Sequence, residues 1–550
     1  MRTYNDKMFI ETFEREYTYL NGFMRNVSRF SKKTALIDGE TSRFWTYEAL
    51  NEEANRLANA LKAIGCGKND VIMIALRNCP EFAFSYIGPR KIGSILLASN
   101  YNLAAGEMAL LIEANKPKVF IYSAFIKNIV REAEKLSKWK VEKFIIADNQ
   151  EDFEKPENHI FYDDFVRNAG RENPKRDFTP HIYDEVLRLC TSGTTALPKS
   201  VPINDINEVL SAHDVIMHYP MNQNDVTLNM TPWFHRGGCH SGGLCPTFYA
   251  GGTVVVMKKF QPTNALEWVE KYKITFLMGS PSNLLFLARS QEKVPKNLST
   301  LKGLVAMGAP LLKDECIRYM KVLTPNIFNG YGTTETFWNS FLRPYDLPRG
   351  SGSVGLSCTD DEVRIVKIYP DKKAEPEEIV ETDGKSEGEV IIFSPEKTTY
   401  SYIGNQKNAD EKFYKGWMYT GDLGVWNEDL VVTVRGRKDD MIVSGGENIY
   451  PEQIEAVLNS HPKVEDSLVT SVCDKLRGQA VAAYILPKEK SLTIQELFDF
   501  CTKNEMLSIY KRPRYFAIAE SLPVTATGKK KRAEMRKRAE EDLKKGILKK

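Results

Sequence analysis

A run of small hydroxylated residues that ends in a lysine is the part of this sequence best suited to hold phosphate. It lies in the segment LRLCTSGTTALPKS, residues 187–200. Backbone N–H groups, hydroxyls and an ammonium group can converge there on anionic oxygens, although the spacing is not that of the loop G-x-x-x-x-G-K-[ST]. A threonine-rich surface turn is the alternative. We predict a phosphate-binding loop made of Thr191, Ser192, Gly193, Thr194, Thr195 and Lys199.

Four further segments carry groups that suit nucleotide chemistry. In chain order they are NGYGTTET (329–336), YTGDLG (419–424), GRKDDMIVSGGENIYPEQIE (436–455) and LPVTATGK (522–529). Each has an ordinary alternative on its own, since Asp422 suits a turn and Arg437 suits a surface. Their common order and spacing over more than half of the chain make the case.

Together with TSGTTALPK, these segments resemble the adenylate-forming superfamily of acyl- and aryl-CoA synthetases, luciferases and peptide-synthetase adenylation domains. TYEALNEEANRLANAL also resembles that family's first helix, so the similarity extends over essentially the whole chain. The resemblance implies an AMP-forming acid:CoA ligase. A carboxylate would attack the α-phosphorus of ATP and release pyrophosphate, and the acyl group would then pass to coenzyme A. ATP, Mg²⁺ and coenzyme A are the cofactors that it implies, with a small carboxylic acid as the other partner.

The resemblance also assigns roles to residues of the nucleotide site. Glu335 resembles the magnesium ligand and Thr334 the α-phosphate contact, while Tyr331 would stack on adenine. Asp422 would accept both ribose hydroxyls, because a carboxylate is an acceptor only. The remaining expected ATP or AMP contacts are Gly308, Ala309, Pro310, Gly332, Thr333 and Arg437.

Residues near the end of the chain are expected to supply the catalytic lysine, the hinge for domain rotation and contacts to coenzyme A. Lys529 matches the family lysine that bridges the carboxylate and the α-phosphate, whereas Lys530 and Lys531 are interpreted as exposed lysines of a basic tail. Asp439 matches the hinge between half-reactions. Gly445 and Gly446 match a tight turn beside the coenzyme A tunnel, with an ordinary structural turn as the alternative. Basic residues such as Arg477 and Lys531 could meet the coenzyme A phosphates.

The acyl pocket is predicted around TPWFHRGG. His235 is the candidate residue beside the carboxylate, and a packed histidine is the alternative. Gly332 leaves room where acetate-specific relatives carry a tryptophan, so an aromatic, alicyclic or medium-chain acid is expected. The apolar candidates for the pocket wall are Trp233, Phe234, Phe337 and Trp338.

One residue departs from the family pattern. Ala196 stands in the phosphate loop where a second glycine is usual. If that position needs a positive φ, alanine costs on the order of 1 kcal/mol or more.

Short apolar segments alternate with helical segments through the first part of the chain, which predicts an α/β fold with parallel sheets covered on both faces. We expect two doubly wound sheet subdomains followed by a small β-barrel, within an AMP-binding domain of residues 1–438. A smaller, mobile α+β domain of residues 439–550 would follow, because the composition changes after RGRKDD.

The composition excludes few partners, but it indicates the cellular compartment in which the protein is expected. The net charge of +3 gives no argument for nucleic acid, and no stretch of about 18 apolar residues indicates a membrane segment. Nine scattered cysteines without a C-x-x-C pair favour reduced thiols, and His235, Cys239 and His240 lack the fourth ligand of a closed zinc site. We expect a soluble cytoplasmic enzyme, with the oligomeric state open and a homodimer as one option.

Two alternatives to the ligase remain open at this point. One is an acyl-adenylate ligase that loads a carrier protein, and the other is a nucleotide sensor without turnover. The sequence also leaves open whether the reaction runs towards the thioester or towards ATP.

The hinge assignment yields a test. Proline fixes φ and should hinder rotation at position 439 while leaving each domain folded. We expect Asp439→Pro to retain adenylate formation and to lose thioester formation, as measured by single-turnover assays of the two steps. Persistence of both steps would refute the hinge role.

Overall fold

The computed structural model describes residues 5–147, 155–191, 199–369, 371–438, 440–444, 447–474, 478–504, 507, 511–525 and 529–549. The chain divides into two compact units. The first comprises Met1–Val363 and Ile392–Met418, and the second comprises Arg364–Ile391 and Tyr419–Lys550. No helix in the described ranges is long and apolar enough to cross a bilayer.

Strands are numbered along the chain. They are β1 (Thr34–Asp38), β2 (Phe44–Thr46), β3 (Val71–Ala75), β4 (Ile95–Ala98), β5 (Val119–Ser123), β6 (Lys143–Ala147), β7 (His159–Phe161), β8 (Glu185–Thr191), β9 (Lys199–Asn204), β10 (Val226–Asn229), β11 (Thr253–Val256), β12 (Phe276–Gly279), β13 (Gly303–Met307), β14 (Ile327–Thr333), β15 (Phe337–Leu342), β16 (Leu356–Ser357), β17 (Glu362–Val366), β18 (Gly388–Phe393), β19 (Phe413–Tyr414), β20 (Trp417–Trp426), β21 (Val432–Arg437), β22 (Ile442–Ser444), β23 (Glu447–Ile449), β24 (Val464–Asp474), β25 (Gly478–Pro487) and β26 (Tyr515–Ile518).

Helices are numbered in the same way. They are α1 (Asp6–Glu16), α2 (Tyr19–Arg29), α3 (Tyr47–Ala63), α4 (Pro80–Lys91), α5 (Ala105–Asn115), α6 (Lys127–Leu136), α7 (Tyr162–Val166), α8 (Asp205–His218), α9 (Arg236–His240), α10 (Leu244–Ala250), α11 (Pro262–Tyr272), α12 (Pro281–Lys293), α13 (Lys313–Val322), α14 (Gln406–Lys412), α15 (Pro451–Asn459), α16 (Ile494–Lys503) and α17 (Arg532–Lys544).

A nine-stranded sheet forms one half of the first unit. Its order is β16-β15-β14-β13-β12-β10-β11-β1-β2. The strands from β14 to β1 run parallel, and antiparallel partners lie at both edges. The parallel strands are short and almost wholly buried, because helices cover both faces of such a sheet. Their carboxyl ends therefore all meet at one edge.

A seven-stranded sheet forms the other half of the first unit. Its order is β7-β6-β5-β3-β4-β8-β9, and its pairs are parallel except for the terminal β8–β9 hairpin. The two large sheets confirm the predicted pair of doubly wound subdomains. The segment TYEALNEEANRLANAL is helical and forms most of α3, although α1 and α2 precede it in the chain. This helix begins where the Thr46 side chain accepts a hydrogen bond from the Ala49 N–H.

Smaller sheets follow in the rest of the chain. β17, β18, β20, β19 and β21 form a five-stranded sheet where the sequence predicts a barrel-like unit. In the second unit, β22 to β26 form another sheet, and α15 packs Ile454 and Leu458 into its core. Pro451 starts α15, a position where the fixed φ of proline suits the first turn of a helix. The α/β fold with a large first part and a smaller α+β last part is confirmed. All nine cysteines are free thiols, in agreement with the composition.

A buried lysine ties together the first unit near β15. The Lys397 ammonium donates to Asp361 at 2.6 Å, to Asp214 at 3.0 Å and to the Trp338 carbonyl at 2.6 Å. Burial alone would lower the pKa of Lys397. The carboxylates of Asp214 and Asp361 outweigh this effect and raise the pKa above its usual value. Three polar groups from different elements are therefore satisfied by one cation.

Removing that cation should destabilise the protein. Lys397→Met leaves two buried carboxylates without their partner, which typically costs about 3–5 kcal/mol. Urea unfolding should show the loss, and Lys135→Met at an exposed ion pair with Glu132 should change stability by less than about 1 kcal/mol. Equal effects of the two substitutions would contradict this account.

Candidate active site

The carboxyl edge of the nine-stranded sheet brings together three of the predicted site segments. β13 ends at Met307 and is followed by the exposed residues Gly308, Ala309 and Pro310. Its parallel neighbour β14 carries Tyr331 at the same edge, since Met307 pairs with Gly330. β10, which lies two strands from β13 in the sheet, leads into the segment that carries His235. Ligands of open parallel sheets bind at this edge.

A tight hairpin between β14 and β15 presents Thr334 and Glu335. The Thr336 N–H and hydroxyl both contact the Thr333 hydroxyl, at 3.2 and 2.9 Å. Phe337 adopts φ +60°, an unusual value for a bulky residue. The positions of Thr334 and Glu335 are thus fixed by a strained turn with its own hydrogen bonds.

Glycine at position 332 is required by this hairpin. A Cβ atom there would lie 1.4 Å from the Phe337 carbonyl oxygen. No side chain fits without moving the backbone. The expectation that Gly332 leaves room for a larger acyl group stays a prediction, because this contact concerns the position of a Cβ atom on residue 332 and not a bound acid.

Glu335 and Lys199 are linked by a tyrosine that the sequence analysis missed. The buried Tyr402 hydroxyl donates to Glu335 Oε1 at 2.5 Å. The Lys199 ammonium lies 5.3 Å from the centre of the same ring and donates to Asn408 Oδ1 at 3.0 Å. Tyr402 thus joins the end of the predicted phosphate loop to the predicted metal ligand.

The two ends of the phosphate loop lie side by side. Thr191 ends β8 and pairs directly with Lys199 at the start of β9. The intervening Ser192, Gly193, Thr194, Thr195 and Ala196 lie outside the described residues. Asp439, Gly445, Gly446 and Arg477 also lie outside them.

Glu335 fits a magnesium ion. Its side chain is buried, and within the described ranges no lysine, arginine or histidine lies at ion-pair distance from it. A buried carboxylate without a cation suits a hard divalent ion that also binds phosphate oxygens.

His235 lies in an aromatic setting. Its ring centre is 4.4 Å from that of Phe234, which in turn contacts Tyr101 edge-on at 5.1 Å. Burial lowers the pKa of His235 to about 4, so the ring is neutral at pH 7. Its Nε2 atom is shielded from solvent and has no hydrogen-bond partner among the described residues.

The aromatic side chains that were expected to line the pocket are all buried. Trp233 packs edge-on against Phe82 at 5.6 Å, and Phe337 stacks on Trp338 at 5.1 Å. The Trp233 backbone N–H donates to Asn78 Oδ1 at 2.9 Å, which anchors this segment to the loop that follows β3. The segment around His235 is therefore held by both large sheets.

The second unit gathers Asp422, Arg437 and Lys529. Asp422 on β20 pairs with Arg437 on β21, and the Arg437 Nε atom lies 3.1 Å from Asp422 Oδ1. Desolvation lowers the pKa of Lys529, and the Arg437 charge lowers it further, while Asp422 and Asp440 act in the opposite direction. Three residues that are far apart in sequence thus share one electrostatic environment.

Lys530 is not the exposed tail residue that the sequence suggested. Its ammonium is mostly buried and lies 3.0 Å from Glu455 and 2.9 Å from Asp466. Carboxylates of α15 and β24 hold it in place because the motif doubles back as Val524 pairs with Lys530. Lys531 is half exposed and pairs only loosely with Glu534 at 3.4 Å. Lys530 therefore anchors the segment that presents Lys529.

Arg236 is the other residue that the sequence analysis missed. It follows His235 directly and is buried, and it donates to the Thr334 carbonyl at 2.7 Å. An arginine within the apolar, glycine-rich segment PWFHRGG was a usable indication. Tyr402 offered none, since a tyrosine in SYIGNQ resembles many surface tyrosines.

Comparison with known proteins agrees with this architecture. Residues 23–400 match the family model described as AMP-binding enzyme, and residues 453–529 match the AMP-binding enzyme C-terminal domain. The chain is 27% identical over 528 residues to 4-coumarate–CoA ligase 2 of Solanum tuberosum, covering 93% of this chain and 92% of the relative. It is 29% identical over 513 residues to crotonobetaine/carnitine–CoA ligase of Salmonella paratyphi B, covering 91% and 95%.

Solved structures with the same fold include the anthranilate CoA ligase AuaEII in complex with anthranoyl-AMP. It has a TM-score of 0.85 at 24% identity and covers 97% of this chain and 99% of that one. The o-succinylbenzoate CoA synthetase of Bacillus subtilis in complex with ATP and magnesium has a TM-score of 0.79 at 24% identity, covering 94% and 98%. With its family model matched over more than half its length, the chain belongs to the AMP-binding enzyme family, which confirms the adenylate-forming relationship predicted from its motifs.

Proposed function

We propose that this protein is an AMP-forming carboxylic acid:CoA ligase. It would convert ATP and an acid to an acyl-adenylate and pyrophosphate, and then transfer the acyl group to coenzyme A. The observation that carries the proposal is the contact chain from Lys199 through Tyr402 to Glu335. That chain combines a cation for phosphate oxygens with a buried carboxylate for a metal ion, as phosphoryl chemistry requires.

The nucleotide would be held at the carboxyl edge of the nine-stranded sheet. Tyr331 would stack on adenine, with Gly308, Ala309 and Pro310 against the other face and Gly332 and Thr333 beside it. Thr334 would donate to the α-phosphate. The Thr191–Lys199 hairpin would grip the β- and γ-phosphates through Thr191, Ser192, Gly193, Thr194, Thr195 and Lys199.

Glu335 would hold Mg²⁺. The ion would supply positive charge to the phosphates and so favour departure of pyrophosphate. Tyr402 fixes one oxygen of the carboxylate and thereby its orientation.

Asp422 and Arg437 would bind the ribose. The carboxylate accepts hydroxyl donors, and the contact with the Arg437 Nε atom fixes its position. Lys529 would be the catalytic lysine, since fixed positive charge lowers the barrier most where negative charge develops. The neighbouring Asp422 and Asp440 help to keep its ammonium charged.

The acid would be aromatic or alicyclic, with a medium-chain acid as the third option. The setting of His235 supports this proposal, since a neutral imidazole among aromatic rings suits an apolar acyl group. Relatives named as coumarate and anthranilate ligases point in the same direction.

The two half-reactions would use one mobile domain. We propose that the boundary between the two domains lies at Asp439, with residues 1–438 as the AMP-binding domain and residues 439–550 as the mobile domain. Gly445 and Gly446 would border the path of the coenzyme A arm.

A direct assay tests the proposal. The protein is incubated with ATP, Mg²⁺ and a panel of acids, with and without coenzyme A, and pyrophosphate, AMP and thioester are followed. Thioester formation with at least one acid supports the ligase. Adenylate without transfer to coenzyme A would favour a carrier-loading enzyme, and a complete absence of pyrophosphate would favour a sensor.

Removal of the candidate catalytic lysine should separate the two steps. We expect Lys529→Ala to lower the adenylation rate by roughly 10²-fold or more, by analogy with loss of one transition-state donor. Conversion of supplied acyl-adenylate to thioester should persist. Lys545→Ala, at an exposed lysine that pairs with Glu541, is the control, and an equal fall in both steps of Lys529→Ala would show that the assignment is wrong.

Loss of the Tyr402 hydroxyl should weaken metal-dependent adenylation. A hydrogen bond to a charged group contributes about 1.5–3 kcal/mol, so Tyr402→Phe should lower kcat/KM for ATP at limiting Mg²⁺ by about 10-fold or more. The Mg²⁺ dependence of pyrophosphate release measures this. Tyr400→Phe, whose ring also packs on Phe413, is the matched control, and equal behaviour of the two variants would contradict the role of Tyr402.

A further inference from the structure

Arg236 is a buried arginine beneath the β14–β15 hairpin. It begins α9 and is 2% exposed. The Asn229 side chain at the end of β10 donates to the Gly237 and Ser241 carbonyls, at 3.1 and 2.9 Å, and so fixes this short helix. The helix in turn fixes where the guanidinium lies.

The guanidinium contacts three different elements. Nη1 donates to the Thr334 carbonyl at 2.7 Å, while Nη2 donates to the Lys397 carbonyl at 2.9 Å and to the Ser211 hydroxyl at 3.2 Å. The Phe337 ring centre lies 5.6 Å from its Cζ atom. The planar guanidinium holds its donors in a fixed geometry, so that one side chain binds these acceptors in fixed directions.

Arg236 lacks the usual partner of a buried cation. Within the described part of the chain, no carboxylate lies at ion-pair distance from it. Glu208, Glu335 and Glu396 act on it from farther away, and burial lowers its pKa to about 10. The side chain therefore remains charged at neutral pH, and its close acceptors are neutral.

The contact with Thr334 has a geometric consequence. In a trans peptide the carbonyl and the following N–H point in opposite directions. With the Thr334 carbonyl directed at Arg236, the Glu335 N–H is directed away from the guanidinium. Holding one carbonyl thus sets the orientation of the whole Thr334–Glu335 peptide.

We propose that Arg236 is a positioning residue for adenylation, whose guanidinium sets the Thr334–Glu335 turn through the Thr334 carbonyl. The inference rests on the proposed function and concerns only its first half-reaction. Arg236 itself need not touch ATP or the acid. Its loss should leave the hairpin in place, since Lys397 still binds the Trp338 carbonyl, but should loosen the turn.

Two substitutions at position 236 and one control test the proposal. Arg236→Met keeps the bulk of the side chain and removes every donor, and Arg236→Lys keeps the charge and one ammonium donor group. Arg343→Met is the control, because Arg343 donates to the Phe341 carbonyl of the same strand β15 at 3.3 Å but not to the turn. Pyrophosphate release, thioester formation from supplied acyl-adenylate, and thermal unfolding are measured for each.

We expect Arg236→Met to lower kcat for pyrophosphate release by about 10²-fold, with KM for the acid changed by less than about threefold. Thioester formation from supplied adenylate should stay within about twofold of wild type. The kcat of Arg236→Lys for pyrophosphate release should be at least about tenfold higher than that of Arg236→Met. Arg343→Met should affect both steps alike. If Arg236→Met does not fold, Arg236→Lys decides, since a selective fall in pyrophosphate release supports the proposal.

Equal losses in both half-reactions of the Arg236 variants would overturn the positioning role, as would unchanged pyrophosphate release. These results are read against an active wild type. If wild-type protein releases no pyrophosphate with any acid, the proposed function fails and the Arg236 role fails with it. If wild type is active and the variants are not selective, only the role of Arg236 fails.

Discussion

Two buried cations hold the carbonyl groups of the β14–β15 hairpin, and the candidate site depends on this constraint. Arg236 binds the Thr334 carbonyl and Lys397 binds the Trp338 carbonyl. The two are connected, because the Lys397 carbonyl accepts from Arg236. The turn that carries Thr334 and Glu335, which we propose to contact polyanionic ligands, thus lies next to buried positive charge that water screens little.

The two cations differ in how much negative charge lies close to them. Lys397 has two carboxylates within 3.0 Å, so its charge is balanced locally and its role is to hold the fold together. Arg236 has neutral acceptors, so more of its field reaches the surroundings of the turn. The proposed binding of ATP, a carboxylate and a metal ion at this site would benefit from such a cation, since these ligands together carry a net negative charge.

The sequence predicted much of the fold because the information was local. Short apolar segments such as Val71–Ala75, bounded by helical segments, were enough to predict buried parallel strands. The order of the strands was not predictable, since it depends on pairing between segments far apart in the chain. The family relationship followed from five motifs, and the matching family model confirmed it.

The missed parts of the site depend on contacts between distant residues. Tyr402 reaches Glu335 across 67 positions, and Arg236 reaches Thr334 across 98. Tyr402 belongs to no motif, and Arg236 lies in TPWFHRGG without a predicted role, so only the folded chain shows what each contacts. Lys530 was misinterpreted for a related reason, because a lysine in a basic run is exposed unless distant carboxylates, here Glu455 and Asp466, enclose it.

The tight approach at Gly332 has a consequence for altering the range of acids that the enzyme accepts. A Cβ atom at this position would meet the main chain of Phe337 rather than a movable side chain. Enlarging residue 332 would therefore displace the strand that carries Phe337 and Trp338, and with it the turn that bears Glu335. Redesign of the proposed acyl pocket is therefore better directed at neighbouring side chains than at this glycine.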